Sequence, residues 1–114
     1  MARYRKRVIS KEKQEIMDEI KRDLLDQLDE NGMLGRFYED IVDDYLEFAK
    51  LKNELQEDIE KKGIRFKVMT GNGIMADKPN ESVQNLVKVN AQMLKILADL
   101  DLKKPKVVDE DDLL

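Results

Sequence analysis

The residues in this chain best suited to chemistry are two glycines in the stretch "TGNGIMADKPNESVQNLVKVN" and a run of acids, "DEDD", at positions 109–112. Gly71 and Gly73 precede a helical pattern, as the glycines of a phosphate-gripping loop would. A Walker-type loop needs Lys followed by Ser or Thr at the helix start, and a dinucleotide loop needs a third glycine behind a buried strand. Neither spacing occurs, so the glycines read as a hairpin turn that uses positive φ. Neighbouring acids on a tail do not hold two metal ions at the separation a nuclease requires, so "DEDD" does not read as a metal site. The chain has no Cys and no His. That removes thiol nucleophiles, disulfides, Cys/His zinc sites and the usual general base together. The expectation is a protein that is not an enzyme and uses no cofactor or metal.

Charge is the other resource. The formal net charge is -4, yet Arg3, Arg5, Lys6 and Arg7 crowd the start while Asp109, Glu110, Asp111 and Asp112 crowd the end. Residues 1–10 read as a basic arm. Lys11 and Lys13 follow in the first turn of a helix, where the dipole disfavours cations, so folding gains little from them and phosphate neutralisation is their natural use. Arg65 and Lys67 sit on one side of a strand pattern and are further candidates for phosphate contact, although an ordinary solvated strand face explains them as well. At residues 106–114 the acids are bracketed by Val107, Val108, Leu113 and Leu114, a mixture that suits docking on another protein; a plain terminus remains the alternative.

The elements that position these groups follow from periodicity. With 114 residues, 41% apolar and 40% charged, the chain fits one modest, mostly helical domain. A first helix over about 11–29, capped by Ser10, places Ile16, Met17, Ile20, Leu24, Leu25 and Leu28 on one half of its wheel. "ENGMLG" then breaks the chain as antiparallel helix pairs require. A second helix over about 36–62 carries Tyr38, Ile41, Tyr45, Phe48, Leu55 and Ile59, widened early by Phe37, Val42, Leu46 and Ala49 and interrupted by Lys52; Gly63 stops it. "IRFKVM" alternates as a strand, "TGNG" turns, and "IMAD" returns, giving a hairpin at about 64–77. Pro79 and Asn80 open a third helix over about 81–100. Its heptad-like series has one polar slot, Asn90, which either sets register or marks the margin of the core.

The expected fold is therefore mainly α: an antiparallel helical hairpin, a short β-hairpin, then a third helix, within a domain spanning 11–105. A second helix near 40 Å long, at about 1.5 Å per residue, exceeds what a compact globule of this size covers, so the rod is expected to protrude or to meet another subunit. No apolar run approaches a membrane span, and the first ten residues lack the apolar core of a signal peptide, so the expected location is cytoplasmic with no membrane partner.

Residues 21–105 also resemble the small terminase subunits of tailed bacteriophages. The likeness lies in the ordered series "DLLDQL", "NG", "YxDIVxDY", "KNxLxxDI", "KG" and "VNAQMLKILxxL". Two departures stand out: many relatives have Leu-Gly-Leu and then Thr-Pro after the last helix where this chain has "LDLKKP", and Asn-Pro where this chain has Pro79 then Asn80. The resemblance implies a DNA-packaging factor in the host cytoplasm, without catalysis of its own. Its subunits would form rings that recognise double-stranded viral DNA and deliver it to the large terminase subunit, which carries the ATPase and nuclease. The tail, Val107 to Leu114, is then the expected docking segment for that large subunit. No convincing helix-turn-helix is present, because the second helix is long and its outer face is acidic through Glu39, Asp40, Asp43, Asp44 and Glu47. A small helical adaptor or transcription-associated oligomer is the alternative reading.

Overall fold

The structure, a computed structural model, describes residues 10–102. In chain order it contains α1 (Lys11–Glu30), α2 (Arg36–Lys62), β1 (Arg65–Met69), β2 (Met75–Pro79) and α3 (Glu81–Asp99). The expected mainly helical order, with a β-hairpin between the second and third helices, is the order observed.

The helix boundaries have local causes. Ser10 adopts an extended conformation and its hydroxyl accepts from the Lys13 backbone N–H at 3.2 Å, which satisfies one of the orphan donors of the first turn. At the other end of α1, Gly32 takes φ 75°, the Gly32 N–H bonds Asp29 C=O at 2.9 Å and the Met33 N–H bonds Leu28 C=O at 2.8 Å. This is a Schellman motif, and Met33 completes it by packing against the core. The end of α3 repeats the motif: Asp101 N–H bonds Ala98 C=O at 3.0 Å, Leu102 N–H bonds Leu97 C=O at 2.8 Å, and Leu102 is buried. Here the left-handed position is filled by Asp101 at φ 56°, without glycine. That residue is the middle of "LDL", and its aspartate takes the turn position that glycine commonly fills.

α1 and α3 both lie antiparallel to α2. Lys21 reaches Asp43 at 2.8 Å and Lys13 reaches Glu57 at 2.6 Å, while Asn90 meets Lys52 and Ser82 meets Asp58. The main core gathers Leu24 and Leu28 from α1, Val42 and Leu46 from α2, and Leu100 and Leu102 beyond α3, with Leu28 and Val42 fully enclosed. It occupies one end of the molecule. Along the middle of α2 runs the part of α3 that buries Val89 and Met93, and at the far end Lys62 of α2 faces the hairpin's Phe66. The result is elongated: 66 × 39 × 26 Å with a radius of gyration of 19.2 Å, against about 13 Å for a compact chain of roughly 100 residues.

Some apolar residues expected inside stay outside. Ile16 is 54% exposed, and Phe37, 69% exposed, stacks edge-on against Tyr38 at 5.3 Å between ring centres. Ile64 precedes the strand and remains exposed, whereas Phe66 and Val68 turn inward and Arg65 and Lys67 outward, as the alternation requires.

An L-residue in the left-handed region costs about 1–2 kcal/mol, and glycine's greater unfolded-state freedom offsets about half of that. Asp101→Gly is therefore expected to raise stability by about 0.5 kcal/mol, and Asp101→Val, β-branched at positive φ, to lower it by at least as much. Urea unfolding of the three proteins measures both; a destabilised glycine variant would show that the Asp101 side chain contributes more than its backbone costs.

Candidate functional site

The described cations with candidate DNA roles lie at one end of the molecule. Lys13, in the first turn of α1, meets Glu57 in the last two turns of α2, the end from which the hairpin springs. Lys11 and Lys67 are exposed. Arg65 donates from Nε to Asp77 Oδ2 at 2.8 Å across the hairpin, so Lys13 and Arg65 each already hold a carboxylate. Exposed pairs of this kind contribute little to stability, and a phosphate can compete for the cation. Arg3, Arg5, Lys6 and Arg7 lie outside the described residues, as do Val107, Val108, Asp109, Glu110, Asp111, Asp112, Leu113 and Leu114.

The joint between α2, the hairpin and α3 is more elaborate than its sequence implies. Asn80 is 5% exposed and uses three groups: its N–H donates to Ile64 C=O at 2.8 Å, its Oδ1 accepts from Ser82 N–H at 3.0 Å, and its Nδ2 donates to Gly63 C=O at 2.9 Å. The first helical residues of α3 and the end of α2 are thereby tied to the hairpin's base. Asp58 accepts from the Ser82 hydroxyl at 2.7 Å and from Lys62 at 3.2 Å. The Ser82 bond, followed by the Lys62 bond, holds the Asp58 carboxyl below its ordinary pKa. Lys62 in turn sits 5.3 Å from the centre of the Phe66 ring. A cleft of about 610 Å³ opens beneath the hairpin, between Leu51 and Leu55 of α2 and the inward-facing Phe66 and Val68.

Sequence reasoning placed the Asn80 cap but not its bond to Gly63, which spans 17 residues and leaves no local signature. It noted Lys52 and Asn90 as separate polar interruptions. In the fold they answer each other, Lys52 Nζ donating to Asn90 Oδ1 at 3.2 Å. Among the described residues, no group of His, Cys, Asp or Glu is arranged to hold a metal ion, and no helix is long and apolar enough to cross a membrane.

A family model described as phage terminase, small subunit, matches residues 7–105. The chain belongs to this family. Neither a curated protein nor a solved structure matches it. Membership gives a small terminase subunit a role in phage DNA packaging, and the match takes in every described element.

Because the Asp58 pKa is lowered by folding, its contribution to stability is present above the unfolded carboxylate value and is lost as pH falls through the lowered value. Asp58→Asn is thus expected to flatten the acid limb of thermal stability, as pH falls through and below the ordinary carboxylate range, relative to the unmodified chain. Melting curves across that range test it; parallel limbs in the two proteins would show that the Ser82 and Lys62 bonds add nothing specific to the anion.

Proposed function

We propose that this small terminase subunit is a non-enzymatic ring-forming factor that binds double-stranded viral DNA and recruits and regulates the large terminase subunit in the host cytoplasm. Three parts divide the work: residues 1–10 as a basic DNA arm, 11–105 as the helical oligomerisation body, and 106–114 as the acidic docking tail. The observation that carries the reading is the family match over residues 7–105, laid on a body too elongated to enclose its own apolar side chains. Exposed Leu34, Met69, Ile74, Val87 and Leu94 are available for contacts between copies.

Arg3, Arg5, Lys6 and Arg7 neutralise phosphates, joined by Lys11 and Lys67, and by Lys13 and Arg65 when their carboxylates yield. Each phosphate contact releases condensed counterions, so affinity falls steeply with salt. Phosphate contacts carry no sequence information, so site preference comes from DNA shape and from many arms acting at once around the oligomer.

Replacing Arg3, Arg5, Lys6 and Arg7 with Ser is expected to weaken binding to any duplex and to flatten its salt dependence between roughly 50 and 200 mM, with helicity and assembly mass unchanged. Unaltered binding would move the DNA surface to the Arg65 and Lys67 face. Light scattering of the parent protein belongs with this measurement, since a stable monomer at micromolar concentration would remove the ring and the mechanism with it.

Truncation after Pro105 is expected to leave assembly and DNA binding intact while abolishing stimulation of the large subunit's ATPase. Stimulation that survives would reduce the tail, including Val107, Val108, Leu113 and Leu114, to a solubilising terminus.

A further inference from the structure

Among the described residues, β1 and β2 form a sheet of two strands, so each has one edge with no strand beside it. The register pairs Arg65 with Pro79, Lys67 with Asp77 and Met69 with Met75. The Thr70 N–H to Ile74 C=O bond and the Asn80 N–H to Ile64 C=O bond, both 2.8 Å, identify residues 70/74 and 64/80 as hydrogen-bonded pairs. Alternation along an antiparallel ladder then makes 65/79, 67/77 and 69/75 the pairs whose backbone groups point away from the partner strand. Arg65, Lys67 and Met69 thus turn their N–H and C=O groups to the open edge of β1, and Met75 and Asp77 turn theirs to the open edge of β2. All five are exposed.

We propose that the β1 edge of one copy pairs with the β2 edge of the next, so that hairpins of successive copies build one continuous antiparallel sheet with Lys67 opposite the partner's Asp77. The inference rests on the homo-oligomer proposed above and names the surface that joins its copies.

Charge selects this arrangement. When copies are related by rotation around a ring, β1 of the next copy runs parallel to β1 and hence antiparallel to β2. Repeating the internal register then gives a row in which Lys67 and Asp77 alternate without interruption, beside a row of Met69 and Met75. Pairing across a two-fold axis would instead set Lys67 against Lys67 or Asp77 against Asp77, and like charges directly opposite are destabilising. A lysine on an edge strand ordinarily guards against pairing. Here the facing aspartate on the other edge converts the guard into a selector for the head-to-tail contact, the class of contact from which rings are built. Within one chain Arg65 occupies only Oδ2 of Asp77, and Lys67 has no ion-pair partner among the described residues.

The test exploits the absence of cysteine in the chain. Lys67→Cys and Asp77→Cys are made as separate proteins, refolded singly or as an equimolar mixture, and oxidised. Paired edges bring the two positions to about 5.5 Å between Cα atoms, suitable for a disulfide. A cross-linked dimer containing one of each variant is expected in the mixture and in neither protein alone. Met69→Cys with Met75→Cys repeats the test without altering charge and is expected to give the same result, even if loss of Lys67 or Asp77 weakens assembly. Homodimeric cross-links would overturn the proposal in favour of two-fold pairing. An assembly of undiminished mass with no cross-link from either pair would also overturn it, while sparing the homo-oligomer; a monomeric parent protein would remove both.

Discussion

Among the described residues, both other helices pack on α2, a single helix of 27 residues and so about 40 Å long, and the hairpin is tied to its end. A chain of this size cannot wrap such a rod on all sides. Its apolar cover is concentrated where Leu24 and Leu28 meet Val42 and Leu46, with Leu100 and Leu102 closing the cluster. Farther along, α2 is held by narrower means: the Val89 and Met93 side of α3, the Lys52 to Asn90 bond and the Lys13 to Glu57 pair. The elongated shape and the exposed apolar side chains are consequences of that length, and so is the suitability of the body for packing against further copies.

The far end depends on Asn80. Leaving one buried polar group unsatisfied costs about 1–3 kcal/mol, and Asn80 avoids this by engaging Ile64, Gly63 and Ser82 at once. Two-stranded hairpins are marginal alone in water. This one is anchored at its base by Asn80, turned by Gly73 at φ 76°, and leans its Phe66 face toward Lys62. It therefore projects in a defined direction, which a surface used for pairing between copies needs.

Much of the fold was legible because its boundaries are local. Ser10, Gly63 and Asn80 each announce an end through a side chain or a φ value that acts within a few residues, and the limits of α2 follow from that. The turn at Asp101 was not legible, because aspartate tolerates the left-handed region without advertising it as glycine does. Nor could periodicity separate the exposed Phe37 from the half-buried Tyr38 beside it, since the first half of α2 is apolar over more of its circumference than one neighbour can cover. In the candidate site, the charge types were readable but their pairing was not: Lys13 and Glu57 are separated by 44 positions, and only the antiparallel packing of α1 on α2 brings them together.

A net charge of -4 would seem to oppose DNA binding, but net charge is the wrong measure for an elongated body. Potentials of exposed charges decay over about 8 Å at physiological ionic strength. Along α2, Asp43 in the acidic half is about 21 Å from Glu57, where Lys13 docks, at about 1.5 Å per residue. Glu39, Asp40, Asp43 and Asp44 are thus more than two screening lengths from the end that bears Lys11, Lys13 and the hairpin, and Glu47, about 15 Å from Glu57, is nearly two. Some of the charge on this acid face is also neutralised internally, by Arg36 on Asp40, Lys21 on Asp43 and Lys50 on Glu47. A phosphate approaching the α1 end would therefore meet Lys11, Lys13, Arg65 and Lys67 together with the carboxylates beside them, Glu57 and Asp77 among them, rather than the acid face of the other end. Net positive charge beside the start of α1 therefore has to come from Arg3, Arg5, Lys6 and Arg7, which precede it in sequence, because the described cations there are matched by carboxylates such as Glu57 and Asp77.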